Sequence, residues 1–106
     1  LIRIDKFLWH TRLVKTRSLA QHLCEAGLVQ LRGASVRRPA EPVRPGDEIT
    51  LTHAGWHRRI RVLAAGARRG PPAEARTLYE EIAPPMRVAD LEIRWEGLLI
   101  DEMEAG

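Results

Sequence analysis

The sequence predicts an α+β domain in which two N-terminal helices pack on a small, mostly antiparallel sheet, followed by a short third helix and a C-terminal extension. Three observations predict it. Apolar residues recur at helical spacing up to a stop at Gly27, two later stretches alternate with the period of a strand, and turn residues punctuate the chain between them. At 106 residues the chain has room for one domain with one modest core.

In the first helix Ile4 and Leu8 are four residues apart, as are Phe7 and Thr11, giving a mixed helical face through about His10 to Leu13. Asp5 is read as its cap, because a carboxylate accepts the backbone N–H groups left unpaired at a helix start. Val14-Lys15-Thr16-Arg17 reads as a connection. A second helix is expected from about Arg17 or Ser18 to Ala26, with Ser18 and Gln21 at the spacing of a capping box. Leu19, Leu23 and Ala26 repeat at helical spacing, with Ala20 and Cys24 beside them, and Gly27 supplies the stop.

A short strand is expected over Leu28 to Arg32, turning at Gly33-Ala34. Val36 to Pro45 is interrupted by proline and reads as irregular or edge-like. Pro45-Gly46-Asp47 is a turn. Glu48 to Thr52 alternates cleanly, His53 to Trp56 turns, and Arg59 to Leu63 alternates with Ile60 and Val62 inward. Gly66 to Pro72 is a loop, and Ala73 to about Ile82 reads as the third helix, ended by Ala83-Pro84-Pro85. Beyond it Leu91, Ile93 and Trp95 alternate with Glu92, Arg94 and Glu96, the pattern of an edge strand. That much apolar surface favours an ordered tail.

Charge is divided unevenly. Residues 1–70 carry 14 Lys and Arg against 5 Asp and Glu, whereas residues 71–106 carry 3 against 9, within a net charge of +3. A basic part of this kind points to a polyanion, most plainly nucleic acid. No apolar run approaches the roughly 18–20 residues that span a bilayer. The first residues lack the apolar core of a secretory signal, and the missing initiator Met suggests that one or more native residues precede Leu1. Cys24 is the only cysteine, which excludes an internal disulfide and a Cys-based zinc site, and it reads as a small buried helix residue. A cytoplasmic protein is expected.

The candidate site centres on Arg3, Lys6, Arg12, Lys15 and Arg17. One helix face cannot present all of these. The connection supplies Lys15, and the start of the second helix supplies Thr16, Arg17 and Ser18 beside free N–H groups that suit a phosphate. Gln21, one turn further, is in position for a base or ribose. Arg32, Arg37 and Arg38 form a second basic group near the first strand turn, suited to bidentate phosphate contacts and to stacking on a base. Trp9 and Trp56 are read first as packing residues, with base stacking as the alternative. His53 and His57 are four apart but not on a helix, and His10 and His22 read as solvent-facing helix residues, so no metal is expected. Nor is a cofactor. No Walker phosphate loop, Gly-x-Ser-x-Gly or His-Glu-x-x-His is present, and Glu80 and Glu81 read as a solvated acidic face, so an enzyme is not expected.

Taken as a set, these residues resemble a family. Arg3-Ile4-Asp5-Lys6-Phe7-Leu8-Trp9, Arg12 and Lys15-Thr16-Arg17-Ser18 with Ala20 resemble the RNA-binding domain of small-subunit ribosomal protein S-four. The Lys6 to Trp9 and Lys15 to Arg17 pieces are most similar to the bacterial heat shock protein 15 family. Gly27-Leu28-Val29-Gln30-Leu31-Arg32-Gly33 and Pro45-Gly46-Asp47 are similar to that domain's helix-to-strand and turn signatures. Arg68-Arg69-Gly70-Pro71, Glu74-Ala75 and Leu78-Tyr79-Glu80-Glu81 resemble the heat shock protein 15 extension. The resemblance implies the alpha-L RNA-binding motif over residues 1–66 and a loop and short helix extension over 67–82; residues 83–106 read as an acidic C-terminal tail. It implies contacts to structured RNA from Arg3, Lys6, Arg12, Lys15, Thr16, Arg17, Ser18, Gln21 and Arg32. It also implies a role on the large ribosomal subunit, rescuing stalled or dissociated subunits that carry peptidyl-tRNA, with tRNA a further partner. Two departures stand out: Arg32 replaces the family's usual Asn, and the tail is acidic where the family commonly ends in basic residues.

The leading expectation is therefore a non-catalytic, monomeric binder of structured, ribosomal RNA, with no membrane partner. The alternative is a protein-interaction or self-associating module using the acidic, apolar segment Asp90 to Gly106. A third reading combines the two, the tail folding over the basic face.

Overall fold

The computed structural model describes residues 1–90. The expectations for the segment after Asp90, an edge strand and an ordered acidic tail, lie outside the described residues.

A short strand β1 (Ile2–Arg3) leads directly into helix α1 (Ile4–His10), and helix α2 (Arg17–Glu25) follows. Alone, a seven-residue helix is too short to be stable in water. Packing holds it: Ile4, Phe7 and Leu8 are fully buried, as is Ala20 of α2, with Leu23 and Cys24 almost so. The caps differ from those the spacing suggests. Asp5 lies inside α1 rather than before it, and the N-cap position is Arg3, which makes no side-chain cap. In α2 the cap is Thr16, whose hydroxyl accepts the Leu19 N–H at 3.0 Å, so Ser18 is already helical. Thr16 wins because its extended backbone sets the hydroxyl three residues before a free N–H.

The helix pair covers a sheet ordered β3–β2–β5–β6–β7. Its strands are β2 (Val29–Leu31), β3 (Ala34–Ser35), β5 (Glu48–His53), β6 (Trp56–Val62) and β7 (Tyr79–Glu81); β4 (Pro42–Val43) instead pairs with β1. All these pairings are antiparallel, with Ile49 opposite Ile60 and Val29 opposite Leu51. Val29, Leu31, Ile49, Leu51, Ile60 and Val62 meet the helices in the core. The first sheet turn falls on Arg32-Gly33, one residue earlier than expected, because Ala34 pairs with Leu31. Arg32 and Gly33 have φ of 51° and 83°, and Ala54 and Gly55 between β5 and β6 have 52° and 82°. Both are two-residue turns of the kind that favour Asn-Gly.

The expected third helix is mostly something else. Helix α3 is only Pro72–Ala75, a 3₁₀ turn spans Arg76–Leu78, and Tyr79–Glu81 is strand β7. Pairing overrides helix propensity here. β7 fills the open edge of β6, setting Val62 opposite Tyr79 and Ile60 opposite Glu81. Arg61 then clamps Glu80 at 2.7 Å and Glu48 at 3.2 Å, and Arg58 meets Glu81 at 3.3 Å. The two glutamates are thus exposed strand residues paired with arginines, not a helix face. A last strand, β8 (Met86–Arg87), pairs with the start of β6.

The segment between β6 and α3 folds back over the end of α1. Arg12 Nε donates to the Gly70 carbonyl at 2.6 Å and Arg69 Nε to the Trp9 carbonyl at 3.2 Å, while His10 Nδ1 lies 3.3 Å from the Ala65 carbonyl. His10 is therefore buried under this loop rather than facing solvent. Gly66 is needed at the crossing: its φ is 74°, and a Cβ there would sit 2.8 Å from Leu78. No described helix is long and apolar enough to cross a membrane.

Candidate nucleic-acid interface

The interface is organised by a residue that spacing alone reads as a cap. Asp5 is 0% exposed. One oxygen, Oδ1, accepts the Lys6 N–H at 2.7 Å and Arg3 Nε at 3.1 Å; the other, Oδ2, accepts Arg3 Nη2 at 3.0 Å and Gln21 Nε2 at 3.0 Å. Arg17 Nε lies 3.6 Å from Oδ2, close enough for charge attraction but outside hydrogen-bond reach. Burial alone would raise the Asp5 pKa. Hydrogen bonds from Gln21, Arg3 and the Lys6 amide, with the Arg3 charge, outweigh it and hold the carboxyl below its ordinary value. One buried anion thus fixes the stems of two half-exposed arginines, Arg3 and Arg17, whose side chains remain 46% and 40% exposed.

Arg17 is also the first residue of α2. With Thr16 capping, the N–H groups of Arg17 and Ser18 head the helix without an intrahelical acceptor. Lys15 and Thr16 precede them on the exposed connection. The two arginine-bearing starts are joined to the second basic group by backbone: Ile4 N–H donates to the Glu41 carbonyl at 2.8 Å and Asp5 N–H to the Pro39 carbonyl at 3.2 Å. The segment carrying Arg37 and Arg38 is therefore pinned against the start of α1. Arg32, Arg37 and Arg38 line one open groove with Ser35 and Glu41. Arg38 pairs with Glu41 at 3.4 Å, and Arg32 with Asp47 at 2.9 Å.

The expected residues fall into three sets. Arg3, Arg17 and Gln21 converge on Asp5, with Lys6, Lys15, Thr16 and Ser18 around the same two helix starts. Arg32, Arg37 and Arg38 form the adjoining groove. Arg12 stands apart at the opposite end of α1, at φ 62° and tied to Gly70. Gln21 is spent on Asp5 rather than left to reach a base. The organiser Asp5 was legible only as an acid near a helix start; nothing in its spacing signalled that three side chains would close on it.

The remaining candidates have structural surroundings. Trp9 is half-buried, with the Arg69 guanidinium 5.8 Å over its ring. Trp56 is exposed at the tip of the β5–β6 hairpin, with Arg87 5.4 Å over its ring. His57 Nδ1 lies 3.1 Å from the Thr52 hydroxyl. Among the described residues no group of three or more His, Cys, Asp or Glu is placed to hold a metal. Burial, with Asp5 and Glu25 adding negative charge, pushes the Cys24 thiol up to about 11, so it is protonated and inert at neutral pH.

This architecture has known counterparts. Residues 2–49 match the model of the S4 domain. Heat shock protein 15 of Escherichia coli K12 is 38% identical over 82 residues, covering 77% of this chain and 61% of that protein. The chain thus spans about three-fifths of the length of that relative. A heat shock protein 15 homolog of Haemophilus influenzae is 33% identical over 95 residues, covering 89% of this chain and 70% of that one. The RQC P-site tRNA stabilizing factor of Helicobacter pylori J99 is 37% identical over 83 residues, covering 78% of this chain and 95% of that one. Among solved structures, trimeric heat shock protein 15 of Vibrio cholerae superposes with a TM-score of 0.73 at 36% identity, covering 77% of this chain and 82% of that one. With the helix pair, the sheet order and this identity in agreement, the chain belongs to the heat shock protein 15 family of S4-domain proteins.

Proposed function

We propose that this chain is a non-catalytic binder of structured RNA that reads shape and phosphate positions. The observation that carries the reading is the Asp5 network, which fixes Arg3 and Arg17 beside the open start of α2. Positioned guanidinium groups and free N–H groups together are what a phosphate backbone needs. Residues 1–66 act as the RNA-binding domain, residues 67–82 buttress the end of α1, and residues 83–106 form the acidic tail. The contacts come from Arg3, Lys6, Lys15, Thr16, Arg17 and Ser18, with Arg32, Arg37 and Arg38 along the groove. Gln21 serves by holding Asp5, and Arg12 by marking the far edge of the face.

The target is ribosomal RNA of the large subunit, in the cytoplasm, and the role is rescue of stalled or dissociated subunits carrying peptidyl-tRNA. The relatives support this: one is named for stabilising P-site tRNA and others as heat shock protein 15. The test is a Lys15→Glu, Arg17→Glu double variant of the full chain, with circular dichroism to check folding. RNA affinity falls at least ten-fold; a folded variant that binds equally well refutes the site. Sequencing the RNA that co-purifies from lysate identifies the target, and recovery of tRNA or mRNA alone replaces the ribosomal role with general RNA binding. A self-associating reading has one observation in its favour, the trimer reported for the Vibrio cholerae relative. A mass that stays monomeric across concentration excludes it.

A further inference from the structure

We propose that the cleft between the Thr11–Leu13 connection, the β5–β6 hairpin and the α3 segment takes a single unpaired nucleotide of the bound RNA, its base against Trp56 and its phosphate on Arg12, Arg58 and Arg76. The proposal rests on RNA binding by the basic face and adds a second, chemically different contact to it.

The cleft measures about 310 Å³. That is at the lower end of ligand cavities, which run roughly 300–1,000 Å³. It suits one nucleotide. Its walls combine apolar surface from Leu13, Leu51 and Pro72 with the rings of Trp56 and Tyr79, and among the described residues its lining holds three arginines and no carboxylate. Each arginine has donors to spare. Arg12 uses Nε on Gly70, which fixes its stem and leaves the terminal nitrogens. Arg76 makes no ion pair among the described residues, and Arg58 makes one weak, partly exposed pair with Glu81 at 3.3 Å. Trp56 is 38% exposed, and the guanidinium of Arg87 backs its ring. A large, supported aromatic ring beside guanidinium groups is the arrangement on which an unstacked base rests. Arg12 lies on the same connection as Lys15, three residues before it. The charge alone would also suit an acidic peptide; the supported ring favours the base.

The test uses the full chain and two hairpin RNAs that differ by one bulged nucleotide, with binding followed by anisotropy. The wild type prefers the bulged hairpin by about ten-fold, the factor expected from one stacked base. Trp56→Ala and, separately, the surface change Arg76→Ala abolish that preference and leave the paired hairpin bound as before; Trp56→Phe restores it. The Lys15→Glu, Arg17→Glu variant weakens both hairpins together. Equal wild-type affinity for the two hairpins, a preference that survives both cleft variants, or a loss that falls equally on both hairpins overturns the proposal. Binding of a synthetic acidic, apolar peptide that depends on Trp56, with no bulge preference, overturns it in favour of a protein partner. If only the Lys15, Arg17 variant behaves like wild type, the basic face fails while the bulge preference still reports on the cleft.

Discussion

Gln21 of the second helix donates to the Asp5 carboxylate of the first at 3.0 Å, and that contact locks the two helix starts together around one buried anion. Asp5 is therefore expected to serve both stability and, through the proposed contacts of Arg3 and Arg17, RNA binding. Replacing it by Ala leaves Arg3 and Gln21 without their acceptor and removes the charge facing Arg17. Both arginines are half-exposed and stay hydrated, so the loss is mainly that of hydrogen bonds to a charged group, about 2 kcal/mol. Asp5→Ala is expected to lose about that much in denaturant unfolding. Asp5→Asn keeps the shape and loses less, yet weakens RNA binding because Arg3 and Arg17 are no longer held.

The same carboxylate sets an acid dependence. Its folded pKa is below the ordinary value, so the unfolded chain takes up the proton first as pH falls. Its contribution is complete above the unfolded carboxylate pKa of about 3.9 and is lost as pH drops through the lower folded value. The stability gap between wild type and Asp5→Asn should be constant near neutrality and narrow below about pH 4. A gap that does not change with pH contradicts the role assigned to this charge.

Much of this was legible in the chain and some was not, for physical reasons. The helix pair and strands β2, β5 and β6 follow from periodicity, since Ile4, Leu8, Leu23, Ile49 and Ile60 each occupy the position their spacing demands. Tyr79–Glu81 misled because its local preference is helical while its pairing partner, β6, lies 19 residues earlier, as Arg61 opposite Glu80 shows. Burial of His10 depends on the loop at Ala65, and the grouping around Asp5 depends on the angle between two helices. Neither is written in local sequence.

The β5–β6 turn carries a removable cost. Ala54 sits at φ 52°, a left-handed conformation that Asn adopts at lower cost than Ala. Ala54→Asn is expected to stabilise the chain by about 0.5–1 kcal/mol, or a few degrees in Tm. Arg32 at φ 51° occupies the equivalent position in the first turn, but Arg32→Asn gives less, because it also removes the 2.9 Å pair with Asp47. Thermal unfolding of the two variants side by side separates these effects.

Cys24 offers a clean probe of global opening. Its thiol is 1% exposed and pushed up to about 11, so neither access nor ionisation favours reaction at neutral pH. A thiol reagent should label native protein only at the rate of unfolding, and label it at once in denaturant. Rapid labelling of the native protein would mean that α2 opens locally.

The salt dependence of RNA binding should count the cations that are free to act. Arg61 is held by both Glu48 and Glu80, so formal charge overstates the supply. Arg3, Lys6, Lys15, Arg17, Arg37 and Arg38 are the main proposed phosphate ligands. About six neutralised phosphates correspond to a slope of about −4 to −5 for log K against log salt. Lys15→Glu, Arg17→Glu removes two of them, so its slope should be shallower by about 1.5–2 as well as its affinity lower. A reduced affinity with an unchanged slope would show that the two side chains shape the helix start without contacting phosphate.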